Sequence, residues 1–584
     1  MCGFTIVVNK QKTIISNNIK REILNSQHHR GPDFAKKIER NNIVFFHNRL
    51  SIIDLSSKAN QPMICKNTGN IIVFNGEIYN YKELKVRFFP NHKFNSNSDT
   101  EVLLELYRKF EHKFLKYLNG MFSIVIYDNK KKELFLARDH FGIKPLNYYE
   151  DSKFLICSTE VNPINIIKKK IGLNYTKINE YLNYGLIHHD KFTFFEGIKK
   201  VKEASFYKYD VRHQKFTLKK KYWTLKKNSK LIQNNYKDFK ENYKSIFQDS
   251  LKLNLVSDVP IALLLSSGAD SSYIYNELNK INYNNLKSFS FGWKEKKYDE
   301  SIITKKNLNL SNSLHKILEM NLSDIYKDLS LAIKMNEGPI GGFGTLGVFK
   351  LMKLVNQNKI KVAFSGEGSD ELNLGYFNQH VAFLSETYNN NSIEYKKFKK
   401  ANNLKYSLEE AKNIFLKHAI SAPDGTALGE SLRSNTFLDN NSLSKLYISS
   451  LKLPKLLHWQ DRCGGAFGIE TRFPFLNHEL ATYCFSNPDR YKIRNGITKY
   501  HLRDVKLDIN KKKFVVTPQR EFIKKNFKTI LDIIDGGELV KNDIINFNNF
   551  KRNYKDYSID KTLGNSFFVW KVLNLELFLQ LSKN

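Results

Sequence analysis

Removal of the initiator from Met1-Cys2 would leave a thiol and a free α-amine on one residue. Such a residue carries nucleophile and base together, because an α-amine titrating near about pH 8 is partly neutral and can take the thiol proton directly or through water. A cysteine in second position means little by itself, so its neighbours decide. Arg49 ends a β-type run inside His47-Asn48-Arg49-Leu50-Ser51-Ile52-Ile53-Asp54, and Asn75-Gly76-Glu77 comes directly after the apolar run 71–74. An amide side chain beside a glycine N–H suits a developing oxyanion, worth about 3 to 4 kcal/mol per donor. Asp99, in Ser98-Asp99-Thr100-Glu101, stands at a helix start, where an ordinary N-cap is the competing reading.

A second constellation lies further along. The apolar run 260–265 opens through Ser266-Ser267-Gly268-Ala269-Asp270-Ser271-Ser272 into a helix. Backbone N–H groups and hydroxyls at the positive end of a helix make an anion nest suited to pyrophosphate. Ser365-Gly366-Glu367-Gly368-Ser369-Asp370-Glu371 then crowds carboxylates into a glycine-rich turn. That crowding is costly unless cations or ligands compensate it, and oxygen donors of this kind suit magnesium rather than zinc.

The elements that must position these residues change character along the chain. Up to about residue 200, short β-type runs (4–8, 43–46, 70–74, 121–127, 133–137, 154–158) alternate with turns, and residues 100–114 show helical periodicity. This is an antiparallel α+β pattern. From about residue 235, strands at 260–265 and 360–364 alternate with helices, which points to a parallel sheet with sites at the carboxyl ends of its strands. We expect domains over 2–210 and 236–584, with 211–235 a polar linker anchored by Tyr222 and Trp223.

At 584 residues the chain exceeds one hydrophobic core, and 41% hydrophobic residues exclude a disordered or fibrous class. The net charge of +35 could mark a polyanion-binding face, but the lysines are dispersed in short runs such as Lys130-Lys131-Lys132. No nucleic-acid partner is therefore expected. Five cysteines without a CxxC pair fit a reducing cytoplasm, and no apolar stretch is long enough for a membrane span.

Cys2-Gly3, HRGPD at 29–33, RLSIID at 49–54, NGEIYN at 75–80, SDTE at 98–101, and Ala137-Arg138-Asp139 with Gly142-Ile143-Lys144-Pro145 together resemble the glutaminase domain of glutamine-dependent asparagine synthetases. The 266–272 turn resembles the Ser-Gly-Gly-x-Asp-Ser loop of ATP pyrophosphatases, and residues 365–371, 470–476 and 496–503 continue the synthetase order. The resemblance implies an α+β N-terminal-nucleophile glutaminase domain of layered antiparallel sheets and helices, followed by an α/β parallel-sheet ATP-pyrophosphatase domain.

By that resemblance Cys2 attacks the glutamine amide, while Asn75 and the Gly76 N–H hold the oxyanion. Arg49 pairs with the glutamine carboxylate, Asp99 and the Glu77 region take its ammonium, and residues Leu50, Ser51, Ile52 and Ile53 line the pocket. Leu265, Ser266, Gly268, Ser271, Phe291, Ser365 and Gly366 contact ATP, Asp270 and Asp370 hold Mg²⁺, Glu367 assists formation and aminolysis of an acyl adenylate, and Lys499 neutralises the leaving pyrophosphate. Arg138 and Asp139 read equally as a structural ion pair.

Glutamine, aspartate and ATP are the implied substrates, and a homodimer is compatible with the resemblance. Several positions depart from it: Ser267 replaces a glycine, Leu372-Asn373-Leu374 replaces Phe-Gly-Gly, Cys463-Gly464-Gly465-Ala466-Phe467-Gly468 replaces Met-Ser-Met-Ala-His-Ser, and Asn477 replaces an aspartate. These changes leave the acceptor open between aspartate and another carboxylate, such as a sugar uronic acid. The chain beyond about residue 525 has no assignable chemistry in the sequence.

Overall fold

A computed structural model describes residues 1–11, 14–169, 171–281, 283, 286–307, 310, 314–376, 378–380, 382–383, 393, 396–397, 400, 440–503, 518–559 and 566–583. Two six-stranded antiparallel sheets form the amino-terminal domain. In the first, strand Gly3–Asn9 lies between Ile43–Arg49 and Phe154–Ser158; in the second, Ile71–Ile78 pairs with Gly120–Asp128. Phe4, Ile6 and Val8 turn inward to meet Val73, Val125 and Leu136 of the other sheet, and Val7 faces helices on the outside. Both faces of the first strand are thus covered. That is why its sequence is apolar on both faces rather than alternating, with Thr5 the one polar residue between Phe4 and Val8, its hydroxyl bound to Gln27 and Ser158.

The second domain holds a parallel sheet in the order His315–Met320, Lys287–Trp293, Ile261–Leu264, Val362–Phe364, Glu470–Arg472. From Ile261–Leu264 the chain crosses to Lys287–Trp293 on one side, and from Val362–Phe364 it crosses to Glu470–Arg472 on the other. Between these two strands the winding reverses, and a crevice opens past their carboxyl ends. The turns at 265–271 and 365–370 leave those two ends.

One expectation meets a different structure, and the tail, left without chemistry by the sequence, acquires a packing role. Within the stretch expected to be a linker, Lys215–Lys221 forms a strand paired with Ser205–Asp210, so its lysine-rich sequence marks an exposed edge strand. Tyr222 and Trp223 anchor the chain just beyond it, the Tyr222 hydroxyl donating to Arg138 O at 3.1 Å and Trp223 packing edge-on against Phe141. The tail is also structural. Helix α5 (Phe567–Lys583) buries Val569, Trp570, Leu573, Leu575, Phe578 and Leu579. Trp570 Nε1–H donates to Gly341 O at 2.9 Å and its ring meets Phe343 edge-on, while Phe578 packs against Phe194 and Phe195 of the first domain.

Helix α4 (Leu453–Gly465) lies on the boundary between domains and carries a buried ion network. Asp461 takes Arg30 Nη1 and Nη2 at 3.0 and 3.3 Å, and Arg462 reaches Glu160 at 2.6 Å and Glu337 at 2.8 Å. Glu337 also accepts from the backbone N–H groups of Val161 and Asn162, and Glu160 accepts from Arg30 and His29. Burial opposes ionisation of Glu160, but the charges of His29, Arg462 and Arg30 outweigh it and hold the carboxyl well below the usual carboxylate range.

This packing can be tested at two positions. Trp570→Ala should cost about 3 to 5 kcal/mol, read as a lower urea midpoint; an unchanged midpoint would show that α5 is not part of the core. Glu160→Gln leaves Arg30 and Arg462 each short of one of two carboxylate partners and should cost about 3 kcal/mol near pH 7. Because the folded pKa of Glu160 is depressed, its contribution is fully present above the unfolded value of about 4.3 and is lost as the pH falls below it. The gap between wild type and variant should therefore shrink below about pH 4 in urea titrations, and a gap independent of pH would contradict the pairing.

Candidate active site

Cys2 begins the central strand of the first sheet, and side chains hold both ends of its backbone. Its N–H donates to Asn75 Oδ1 at 3.0 Å, and its carbonyl oxygen accepts from Arg30 Nε at 3.0 Å. The thiol faces Leu50 O at 3.9 Å, and burial pushes its pKa up. Asn75 spends its carbonyl oxygen on Cys2, while its Nδ2 is buried without a hydrogen-bond partner. Gly76 has φ +148°, and a Cβ there would stand 2.0 Å from Met121 O, so only glycine lets the Ile71–Ile78 strand pass.

The space beside Cys2 is small, about 30 Å³. It is lined by Arg49, Leu50, Ile52, Ile53, Gly76, Glu77 and Asp99, all expected from the sequence, and by Gln61, Phe74, Ser98 and Thr100, which were not. Ser51 is not on this wall; its N–H donates to Asp33 Oδ2 at 2.6 Å. Ser98 caps helix α1 (Asp99–Phe110), and Asp99 turns back to accept Ile78 N–H at 3.0 Å. Burial pushes the Asp99 carboxyl up to about 6 against that hydrogen bond. Glu77 is pushed up by burial, then by the charges of Glu470 and Asp99. Arg49 sends Nη1 to Ser56 O and Asn60 Oδ1, and Nη2 to the carbonyls of Ile53 and Asp54. It therefore holds the loop that forms the wall.

Arg138 and Asp139 stay out of this site. Arg138 donates to the carbonyls of Gly142, Lys144 and Val201, and Asp139 accepts from the N–H groups of Phe122, Phe141, Ile143 and Lys144. They are a structural knot. Met1 is buried against the second domain, its Sδ 3.8 Å from Arg30 Nη2 and its Cε 2.9 Å from where a Cβ on Gly464 would sit. Burial lowers its ammonium pKa to about 5.

The second site fills the crevice of the parallel sheet, a cavity of about 450 Å³. Leu265, Ser266, Phe291 and Glu367 line it, as expected. Gly268, Asp270, Ser271, Ser365 and Gly366 are off its wall and form the adjoining turns. Gly268 N-caps helix α2 (Ala269–Lys280) with no side-chain hydrogen bond to the cap. Ser271 Oγ ties the turn to Ser266, and Ser267, in place of a glycine, donates to Glu300 at 2.7 Å. The two turns interlock: Ser369 Oγ donates to Asp270 at 2.6 Å, and a Cβ on Gly366 would sit 2.9 Å from Asp270 Cβ. Lys499 Nζ reaches Asp270 at 2.7 Å and also pairs with Asp370. Burial opposes that charge, yet the two aspartates outweigh it and raise the lysine pKa.

Behind this pair, burial and then the charge of Asp370 push Glu367 up to about 7 and Glu371 up to about 8. Gln460 Nε2 donates to Glu367 at 3.3 Å. Glu300, in the acidic run Tyr298-Asp299-Glu300-Ser301 that also resembles the synthetases, and Cys463 of the altered run complete the wall with residues given no role from the sequence: Trp293, then Gly344, Thr345 and Val348 of helix α3 (Phe343–Gln357), then Leu456, Trp459 and Gln460 of α4. For the α4 residues the signal in the sequence was proximity to the altered run at 463–468. Other departures have local reasons. Asn477 N-caps the next helix, accepting from Glu479 and Leu480 N–H, and Asn373 is a buried link joining Tyr243, Ser369, Cys484 and His501.

Comparison with known proteins matches each of the two domains to a family. A family model described as a glutamine amidotransferase domain matches residues 1–223, and one described as asparagine synthase matches residues 242–542. Glutamine-hydrolyzing asparagine synthetase 1 of Bacillus subtilis is 27% identical over 540 residues, covering 86% of this chain and 84% of that protein. A putative glutamine-hydrolyzing asparagine synthetase 2 of Methanocaldococcus jannaschii is 30% identical over 398 residues, 64% of this chain and 76% of that one. Amidase chry2 of Gibberella zeae is 28% identical over 378 residues, 61% of this chain and 55% of that one. With an amidotransferase domain ahead of a synthase match that spans just over half its length, the chain belongs to the asparagine synthase family.

Proposed function

We propose that the protein hydrolyses glutamine at Cys2 and passes the ammonia to a carboxylate adenylated by ATP in the second domain, with aspartate as the acceptor and asparagine, AMP and pyrophosphate as products. The observation that carries this reading is the buried, unpartnered Nδ2 of Asn75, the residue whose Oδ1 holds the Cys2 backbone N–H. A buried donor without an acceptor is costly, and a transient oxyanion would satisfy it. Loss of Met1 would free the Cys2 amine, already held by Asn75 Oδ1, to take the proton of a thiol that burial keeps protonated. Asp99 and Glu77 receive the glutamine ammonium. Arg49 meets the carboxylate through Nε or by exchanging one of its loop contacts.

In the second domain, Asp270 and Asp370 come from different turns yet close on the same ammonium group, so their oxygens share one cation locus. Hard carboxylate donors around one locus fit Mg²⁺, which when bound would neutralise phosphate oxygens. Lys499, displaced from the pair, would then face the leaving pyrophosphate. The uncapped start of α2 offers N–H groups to phosphate, and Glu367, poised near neutrality, can take a proton from the attacking ammonia. Ammonia must pass between the sites under cover, since in bulk water it would protonate. Met1 lies between Cys2 and α4, on the boundary that ammonia has to cross.

One observation favours a second acceptor. Among the described residues lining the cavity are Trp293, Trp459, Glu300 and several hydroxyls, but no lysine or arginine to receive the second carboxylate of aspartate. A hydroxylated acceptor with one carboxylate, such as a sugar uronic acid, fits those walls. Purified protein given glutamine, Mg²⁺, ATP and aspartate should form asparagine; glutamate and pyrophosphate without asparagine would overturn the aspartate reading. Cys2→Ala should release no glutamate from glutamine, a loss of about 10³-fold or more, while amide formation from added ammonium persists. Retained glutamine use would overturn the nucleophile assignment.

A further inference from the structure

Consecutive residues of α4 serve different centres. Gln460 lines the synthetase cavity and donates to Glu367, whereas Asp461 turns to the amino-terminal domain and takes both Nη groups of Arg30. Arg30 has 0% relative exposure, and its remaining edge, Nε, donates to the Cys2 carbonyl. A guanidinium is a rigid planar fork, so a two-point contact on one side fixes the direction of the other. Glu160, at 3.3 Å from Arg30 Nη1, competes for the same fork from a different side. Asp461 therefore selects the orientation that points Nε at Cys2.

The altered run in α4 makes the approach possible. A Cβ on Gly465 would stand 2.8 Å from Arg30 Nη1, and one on Gly464 would stand 2.5 Å from Ile469 O. A side chain at 465 would press on the Arg30 fork itself, whereas one at 464 would press on Ile469 O, in the segment that follows the helix, and on Met1 Cε. We infer that Asp461 is a positioning residue for the Cys2 nucleophile, acting through Arg30, so that the second domain completes the glutaminase site of the first. The inference goes beyond the proposed function and rests on its reading of Cys2.

In Asp461→Asn one acceptor oxygen becomes an NH₂ facing the Nη groups. Arg30 then turns toward Glu160, and Cys2 keeps only its Asn75 anchor. Misplacement of a reacting group by about 1 Å costs about 10²-fold in rate. Glutamate release by the full-length variant should fall about 10- to 100-fold in kcat, with KM for glutamine changed less than about threefold because the pocket wall is untouched. The Kd for MgATP, measured by calorimetry, should stay within about twofold.

Gly465→Ala is the second variant. It keeps every charge but presses a methyl group on Arg30 Nη1, and should give the same pattern if Asp461→Asn does not fold. Wild-type glutamate release in both variants overturns the inference, as does weakening of MgATP binding in parallel with glutamate release, which would mark a merely structural role. If wild type itself releases no glutamate from glutamine, the reading of Cys2 falls, and this inference with it. If wild type is active and both variants match it, only the role of Asp461 falls.

Discussion

The boundary between the domains is held by charges that have no water to fall back on. Arg30, Glu160, Asp461 and Arg462 are all nearly inaccessible, and each is paired with a partner across or along that boundary. Such a network gains little over an apolar contact of the same area, but removing one member leaves an uncompensated charge, so alternative dockings are strongly disfavoured. One relative placement of the domains results. That placement puts α4 between a thiol on one side and a nucleotide-sized cavity on the other.

The same economy of charge governs the crevice. Asp270 and Asp370 lie close together because Lys499 neutralises them; with that ammonium moved aside, the two carboxylates repel unless another cation takes its place. Glu367 and Glu371, behind them, respond by holding their protons to higher pH. A site at the winding reversal of a parallel sheet is the geometric counterpart, since two turns leave adjacent strands in opposite directions and can close on a ligand from both sides. Gly375 shows how tightly they close: a Cβ there would overlap Asp370 and the Lys499 side chain.

Residues carried on one turn or one strand were legible in the sequence. Asn75 and Gly76 are neighbours on a strand, Asp99 sits directly after its own N-cap, and the 266–271 and 365–370 turns carry their chemistry contiguously, so short spacing preserved the meaning. Walls assembled from distant elements were not legible. Trp459, Gln460 and Cys463 recur on one face of a helix whose periodicity looks like ordinary packing, and nothing local distinguishes a face that meets a cavity from one that meets a core. The Lys215–Lys221 strand was hidden for a related reason: as an exposed edge it lacks the apolar alternation that marks a strand. In α5 the buried Asn574 and Glu576 lose their polar meaning because each accepts backbone N–H groups, from Ile340 and from Glu538 and Leu539.

The substitutions that looked like damage to a motif are compensated within a few ångströms, and the compensation shows what each position had to do. Ser267, which does not need the left-handed backbone that favours glycine, adds a hydroxyl bond that ties the turn to Glu300. Asn477 caps its helix as an aspartate would, because the cap requires an acceptor oxygen and not a charge. The glycines at 464 and 465 differ in kind, since they remove side chains instead of exchanging them. At 465 the gain is room for the Arg30 fork that Asp461 holds, and at 464 it is room for Ile469 O and the Met1 side chain. A change that sequence comparison alone would assign to the acceptor thus lies, in three dimensions, against the residue that holds the Cys2 carbonyl. The chemistry of the first site and the architecture of the second meet on that helix.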